Sequence, residues 1–210
     1  MLITFEGIEG SGKSTQIRLL ADFFTRASRN CVVTREPGGT EIGKKIRSIL
    51  LDAVNAKITP FTELLLYEAD RTQHVEEIIR PALAAGEIVL CDRFFDATVV
   101  YQGYVRGANL GLIDHLHETI LKGLKPDLTF LLDCPVDIGL ERAWNRIANT
   151  SGKAKEDRFE QEAVHFHEKI RQGYLKLAKI EPGRFHIIDA TQEPSVIHDN
   201  IVRIVSRRNL

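Results

Sequence analysis

Cysteine is scarce in this chain: three residues in 210, at positions 31, 91 and 134. They are widely spaced and odd in number, so they outline no disulfide framework, and no Cys/His spacing resembles a zinc site. Each sits in an apolar run, Cys31-Val32-Val33, Val89-Leu90-Cys91 and Leu131-Leu132-Asp133-Cys134, which reads as buried, reduced thiols on strands. A charge excess is also missing. Against 28 Lys and Arg stand 29 Asp and Glu, a formal net charge of −1, which argues against a general nucleic-acid binder. The basic C-terminus, Arg203, Arg207 and Arg208, reads as the solvated end of a helix, where cations are favoured. No apolar run approaches the ~20 residues of a membrane span. The N-terminus enters a strand with no secretory leader pattern, so the expected location is cytoplasmic. Internal repeats are absent. The seven histidines show neither ligand spacing nor an adjacent nucleophile. His165 and His167, two apart on an expected helix, read as surface residues, and the single tryptophan, Trp144, reads as packing.

What is present is more specific. Gly7-Ile8-Glu9-Gly10-Ser11-Gly12-Lys13-Ser14 fits the phosphate-binding pattern G-x-x-x-x-G-K-[ST] completely. Leu2-Ile3-Thr4-Phe5 before it reads as a buried strand, and Ser14 to Ala27 after it as a helix, the surroundings this motif requires. Glycines let backbone N–H groups curl around phosphate oxygens, and the helix N-terminus adds partial positive charge there. Lys13 then reaches the β- and γ-phosphates, and the Ser14 hydroxyl helps to hold Mg²⁺.

The rest of the chain alternates apolar strands with helical stretches. Strands are expected at Leu2–Gly7, Cys31–Thr34, Ile88–Asp92, Leu128–Asp133 and Phe185–Ile188, and helices from Ser14, Glu41, Phe61, Phe95, Leu112, Val136, Glu160 and Pro194. This order predicts an α/β fold, a five-stranded parallel sheet covered by helices on both faces in three α/β/α layers. With 210 residues the chain suits a single domain burying about 70% of its unfolded surface. Right-handed crossovers bring the strand C-termini to one edge, where ligands of such sheets sit. The glycine-rich loop, Arg35, Asp92-Arg93 and Asp189 all fall there. The polar stretch Asn149 to Glu156 reads as an exposed loop between two helices.

Several side chains suit that edge. Asp92 ends an apolar strand where a P-loop protein needs an acid near its metal, and Arg93 beside it can hold a second phosphate; the alternative is a structural ion pair. Arg47, on the helix after the turn Thr34-Arg35-Glu36-Pro37-Gly38-Gly39-Thr40, can face an anion or solvent. Tyr67 and Arg71 share a helix face and can stack on and bond to a planar base, or simply serve as core packing and a surface ion pair. Gln102, within Tyr101-Gln102-Gly103-Tyr104, offers a donor and an acceptor to a base edge, or is ordinary helix-end chemistry. Arg142 and Arg146 precede the polar loop and Arg158 follows it. Cations on both sides of such a segment suggest a mobile lid, about 142–160, closing over phosphates; the alternative is a solvated basic face.

Taken together, Phe5 to Thr15, Thr34-Arg35-Glu36-Pro37-Gly38-Gly39-Thr40, Asp92-Arg93-Phe94, Ala97-Thr98 with Tyr101-Gln102-Gly103, Pro126-Asp127-Leu128 and Ile188-Asp189-Ala190-Thr191 resemble the thymidylate kinase family nearly end to end. The resemblance implies transfer of the ATP γ-phosphoryl group to dTMP, giving dTDP and ADP on the route to dTTP, with Mg²⁺ and in a homodimer joined by helix faces from the middle of the chain. It implies that Gly7, Ile8, Glu9, Gly10, Ser11, Gly12, Lys13, Ser14 and Thr15 hold ATP, with Arg142 against adenine near Asp189 and Thr191. Ser14 and Asp92 would serve the metal. Arg93, aided by Arg35 and Arg47, would bind the dTMP phosphate. Tyr67, where Phe is more usual, would stack on thymine, Arg71 would donate to a thymine carbonyl, and Gln102 would read the base edge. Thr98 would line the same pocket, Tyr101 would crowd the sugar 2′ position, and Glu9 would sit by the 3′ side. With no arginine in the P-loop, the chain resembles the branch whose catalytic arginine lies in the lid, here Arg146, with Arg158 helping to hold the lid closed.

A kinase of another nucleoside monophosphate, a P-loop switch that hydrolyses NTP to drive a partner, and a nucleotide-binding module without catalysis are the competing readings. The switch expects a water-orienting residue and an effector surface, neither of which the sequence offers. A phosphate acceptor is already ionised at neutral pH, so no strong general base is required, in keeping with the histidine pattern.

Overall fold

A computed structural model describes residues 1–55, 57–149 and 158–208 of the chain. Five parallel strands form its sheet: β1 (Leu2–Glu6), β2 (Cys31–Arg35), β3 (Ile88–Asp92), β4 (Leu128–Asp133) and β5 (Phe185–Asp189). Their spatial order is β2-β3-β1-β4-β5, with Phe5 opposite Asp92 on one side and Phe130 on the other. Successive residues of a strand point to opposite faces. Ile3 and Phe5 accordingly enter one apolar cluster with Leu90, Phe130 and Tyr174, while Leu2 enters a second with Val75, Val89 and Phe94. Both faces are covered, which is why the inner strands read as unbroken apolar runs rather than alternating ones. The expected strands are all present, displaced by at most one residue at their C-termini.

The helices are α1 (Lys13–Arg26), α2 (Glu41–Leu51), α3 (Pro60–His74), α4 (Arg80–Ala84), α5 (Phe95–Thr98), α6 (Leu110–Leu121), α7 (Val136–Ala148), α8 (Val164–Ile180) and α9 (Pro194–Ser206). Two π-helical segments, Val75–Ile79 and Val99–Val105, extend α3 and α5. Thr40 and Thr59 cap α2 and α3 by accepting from Gly43 N and Thr62 N. The helix expected from Glu160 begins at Val164 instead, because Arg158 to Gln161 form turns that pack Phe159 and Glu160 inward. Of the expected polar loop, Asn149 closes α7, and 150–156 lie outside the described residues.

Other readings need correction. His167 is fully buried while His165 is exposed; two positions apart on a helix is about 200° of rotation, so one of the pair turns inward when the other turns out. Trp144 is 41% exposed, since α7 buries Val136, Gly139 and Ala143 and leaves its neighbour outside that stripe. Cys91 lies buried on β3, but Cys31 is only half-buried on the edge strand and Cys134 is buried just beyond β4.

The crossing of α7 over the glycine-rich loop fixes the floor of the site. A Cβ on Gly10, whose φ is +71°, would lie 1.9 Å from Gly139 O, and one on Gly139 would lie 2.8 Å from Glu9 O. Both glycines therefore permit a backbone approach that no other residue allows. Gly139→Ala is expected to destabilise the protein by about 1–3 kcal/mol through overpacking, seen as a lowered thermal midpoint. Gly183→Ala, at which a Cβ meets nothing within 4 Å, is expected to shift stability by less than about 0.5 kcal/mol.

Candidate active site

The loop between β1 and α1 holds Gly7, Gly10 and Gly12 at φ +136°, +71° and +93°. α1 starts at Lys13 with no side chain capping its N-terminus, so its first N–H groups face the loop's hollow, the arrangement that binds phosphate. Lys13 Nζ donates to the carbonyls of Gly7 at 3.1 Å and Ile8 at 2.8 Å. Burial, reinforced by Arg93, pushes its pKa down to about 8. A phosphate in the hollow would offset both influences.

β3 ends beside this loop. Ser14 Oγ donates to Asp92 Oδ2 at 2.9 Å, and Arg35 lies 3.8 Å from the same oxygen. Arg93 follows with φ +67°, a conformation that non-glycine residues rarely adopt and that is held only where contacts over-determine it. Its guanidinium donates to Glu9 Oε1 and Tyr174 Oη, each at 2.9 Å, and lies 5.0 Å over the Tyr101 ring. Tyr101 in turn donates to Glu9 Oε1 at 2.6 Å. Burial would raise the Glu9 carboxyl, but Arg93, His167 and Lys13 together hold it well below the usual carboxylate range. Behind them Glu6 accepts from Phe94 N and Tyr174 Oη. Burial, with Asp96 adding to it, pushes the Glu6 pKa up to about 7.

A cavity of about 1280 Å³ opens over these groups. Its lining brings together Glu9 to Thr15, Arg35, Arg47, Tyr67, Arg71, Asp92, Arg93, Thr98, Tyr101, Gln102, Arg142 and Arg146. Arg47 donates to Pro37 O at 3.0 Å. Tyr67 is half-buried. Arg71 is 1% exposed, with its guanidinium on Glu36, Glu68 and Thr98, so the ion pair considered for the surface is a buried one. Gln102 Nε2 donates to Glu63 Oε1 at 2.8 Å. Toward the other end Arg142 donates to Ala190 O at 2.9 Å, and Arg146 to Glu160 Oε1 at 3.1 Å. Arg158 is buried on Glu63 and Leu50 O, away from the cavity lining.

Gly7 and Ile8 lie beneath the loop rather than on the cavity wall, Ile8 being buried under α7. Asp189 and Thr191 are exposed and bond to each other, while Ala190, Gln192 and Pro194 line the cavity in their place. Sequence reasoning missed Glu6, Glu36, Glu63, His167 and Tyr174. Their signal was a carboxylate, imidazole or phenol on an otherwise inward-facing stripe, a pattern that marks a polar group with a buried partner.

Ser14 Oγ and Asp92 Oδ2 are hard oxygens on the cavity wall beside the phosphate loop, which suits a small divalent cation completing its shell with phosphate oxygens and water. Among the described residues, no cluster of three or more His, Cys, Asp or Glu could hold a metal by itself.

The thymidylate kinase family model matches residues 5–201. A thymidylate kinase of Geotalea uraniireducens is 59% identical over 190 residues, 90% of this chain and 89% of the relative. Another, of Desulfosudis oleivorans, is 51% identical over 99% of this chain and 97% of its own length. The crystal structure of thymidylate kinase from Ehrlichia chaffeensis superposes with a TM-score of 0.76 at 34% identity, covering 98% of both chains. With sequence and architecture agreeing over almost the full length, the chain belongs to the thymidylate kinase family.

Proposed function

We propose that the chain transfers the γ-phosphoryl group of ATP to dTMP, yielding dTDP and ADP in deoxynucleotide biosynthesis. The observation that carries this reading is one continuous cavity with a phosphate-cradling loop on one side and Arg93 on the other, backed by an aromatic and amide pocket. Two polyanions can meet there end to end.

ATP phosphates sit in the Gly10–Thr15 loop on backbone N–H groups and Lys13, with the adenine near Arg142 and the Ala190–Gln192 turn. The dTMP phosphate is met by Arg93, with Arg35 and Arg47 behind it. Tyr67 stacks on thymine, Arg71 and Gln102 address its polar edge, Thr98 lines the pocket, and Tyr101 crowds the sugar beside Glu9. Arg93 is pinned on two sides, so it presents its charge without reorganising as the reaction proceeds. The attacking oxygen belongs to an ionised phosphate, so positioning and charge neutralisation do the catalytic work. Mg²⁺ held by Ser14 and Asp92 would neutralise charge on the transferring phosphates.

We read the chain as one domain, with 142–160 as a lid that brings Arg146 to the transferring group and excludes water. Arg158 anchors the lid's far end through Glu63. Exposed Phe61 and Leu65 on α3 and Leu110 and Leu112 on α6 support a homodimer through mid-chain helices. Among the described residues no helix is long and apolar enough to cross a membrane, which is compatible with a cytoplasmic enzyme.

Three measurements test the reading. ADP formation from ATP-Mg²⁺ is expected with dTMP and to be far slower with UMP, CMP, GMP, AMP or no acceptor. Acceptor-independent hydrolysis would favour a switch instead, and a silent assay a binding module. Arg146→Ala is expected to lower kcat by about 10³-fold or more, the scale of a supplied arginine in phosphoryl transfer, with little change in KM for dTMP; near-normal turnover would move the role to Arg142 or Arg158. Tyr67→Ala is expected to weaken dTMP binding by roughly 1–3 kcal/mol, the scale of base–aromatic stacking, as read by calorimetry.

A further inference from the structure

Gln102 sits on the π-helical segment Val99–Val105 and is 1% exposed, yet it borders the cavity. Its amide carries two donor hydrogens on Nε2 and an acceptor at Oε1, and a base edge distinguishes the two. Here Nε2 donates to Glu63 Oε1 at 2.8 Å. Glu63, on α3, is 1% exposed and accepts from Arg158 Nη2 on its other oxygen. Arg106 lies 3.8 Å from Oε1. With arginines on both sides, Glu63 serves as an acceptor and offers Gln102 no hydrogen to receive.

We propose that Glu63 is a specificity-determining positioning residue: by occupying the donor end of the Gln102 amide, it turns Oε1 toward the acceptor nucleotide and makes the pocket select a base with N–H at ring position 3. The inference rests on the reading of Gln102 as the residue facing the base. Thymine and uracil carry a hydrogen at N3, and cytosine carries a lone pair there. Against Oε1 the first two form a hydrogen bond, while cytosine leaves two acceptors facing each other in a desolvated site, the situation that discriminates most strongly. Selection against cytosine is thus set by a residue that need not touch the base. Because Arg158 shares the same carboxylate, the base reader is also tied to the far end of the lid segment.

The test compares kcat/KM for dTMP and dCMP in the wild type and Glu63→Gln. Glutamine at this position can donate as well as accept, so the Gln102 amide can turn over. The dTMP:dCMP ratio is expected to fall at least about tenfold, equivalent to about 1.4 kcal/mol, chiefly through KM. A general packing defect would lower both substrates alike. An unchanged ratio in a folded variant overturns the proposal. If the variant does not fold, the wild type decides by NMR: the Gln102 Nε2 proton bonded to Glu63 is expected to exchange slowly without ligand and to stay protected when dTMP is added. Exchange of that proton at the rate of a free amide, with or without dTMP, overturns it. Failure of the wild type to phosphorylate dTMP would remove the acceptor reading itself, which the unliganded exchange measurement does not depend on.

Discussion

Charge is buried at the C-terminal edge of this sheet because each ion is met by a partner from a different stretch of chain. Arg93 is the centre of that arrangement. It leaves β3 in a left-handed conformation and is gripped by Glu9 from the phosphate loop and Tyr174 from α8. Glu6 stands behind Tyr174, and His167 lies 3.3 Å from Glu9. Taking a guanidinium out of water costs several kcal/mol unless its charge and hydrogen bonds are matched. The matching groups come from β1, its following loop and α8, so the site forms only when the sheet and its covering helix are in register.

A second network sets the opposite wall. Arg71 bonds to Glu36 and Glu68, His74 bonds to Glu36 and Thr34, and His117 joins Glu68. Asp70 accepts from Gly38 N at 3.0 Å, and burial, with Glu36 nearby, pushes its pKa up to about 6. The turn after β2 is therefore held to α3 by polar contacts. Arg47, which donates to Pro37 O, and Arg71, which lines the cavity, inherit their positions from this network. Buried networks of this kind favour one arrangement, because a shift strands further donors or acceptors beyond Glu68 Oε2 and Asp70 Oδ2, which already lack a hydrogen-bond partner.

Much of the fold was legible in advance. Apolar stretches between helical ones marked every strand; those of the inner strands are nearly unbroken because both faces of the sheet are covered there, whereas the edge strands β2 and β5 leave Val33 and Ile187 exposed. The glycine-rich loop was legible through its own spacing, and Asp92-Arg93 through its place at the end of such a run. The helix start at 164 was less so, since it follows turns that pack Phe159 and Glu160 inward; the start at 110 is set locally, by Asn109 accepting from Leu112 N. His167 shows the limit most clearly: on spacing alone it matches His165, and only the direction in which α8 faces the sheet separates the buried ring from the exposed one.

The order of the elements, the phosphate loop and the choice of charged residues at strand ends are properties of the chain itself, written in local periodicity and in motifs whose chemistry works over a few residues. Tertiary structure decided which polar groups pair. Glu63 with Gln102 and Arg158, Glu9 with Arg93 and Tyr101, and Glu6 with Tyr174 join residues from 39 to 168 positions apart. A carboxylate's partner is selected by burial and geometry, and both arise only when the sheet has closed against its helices.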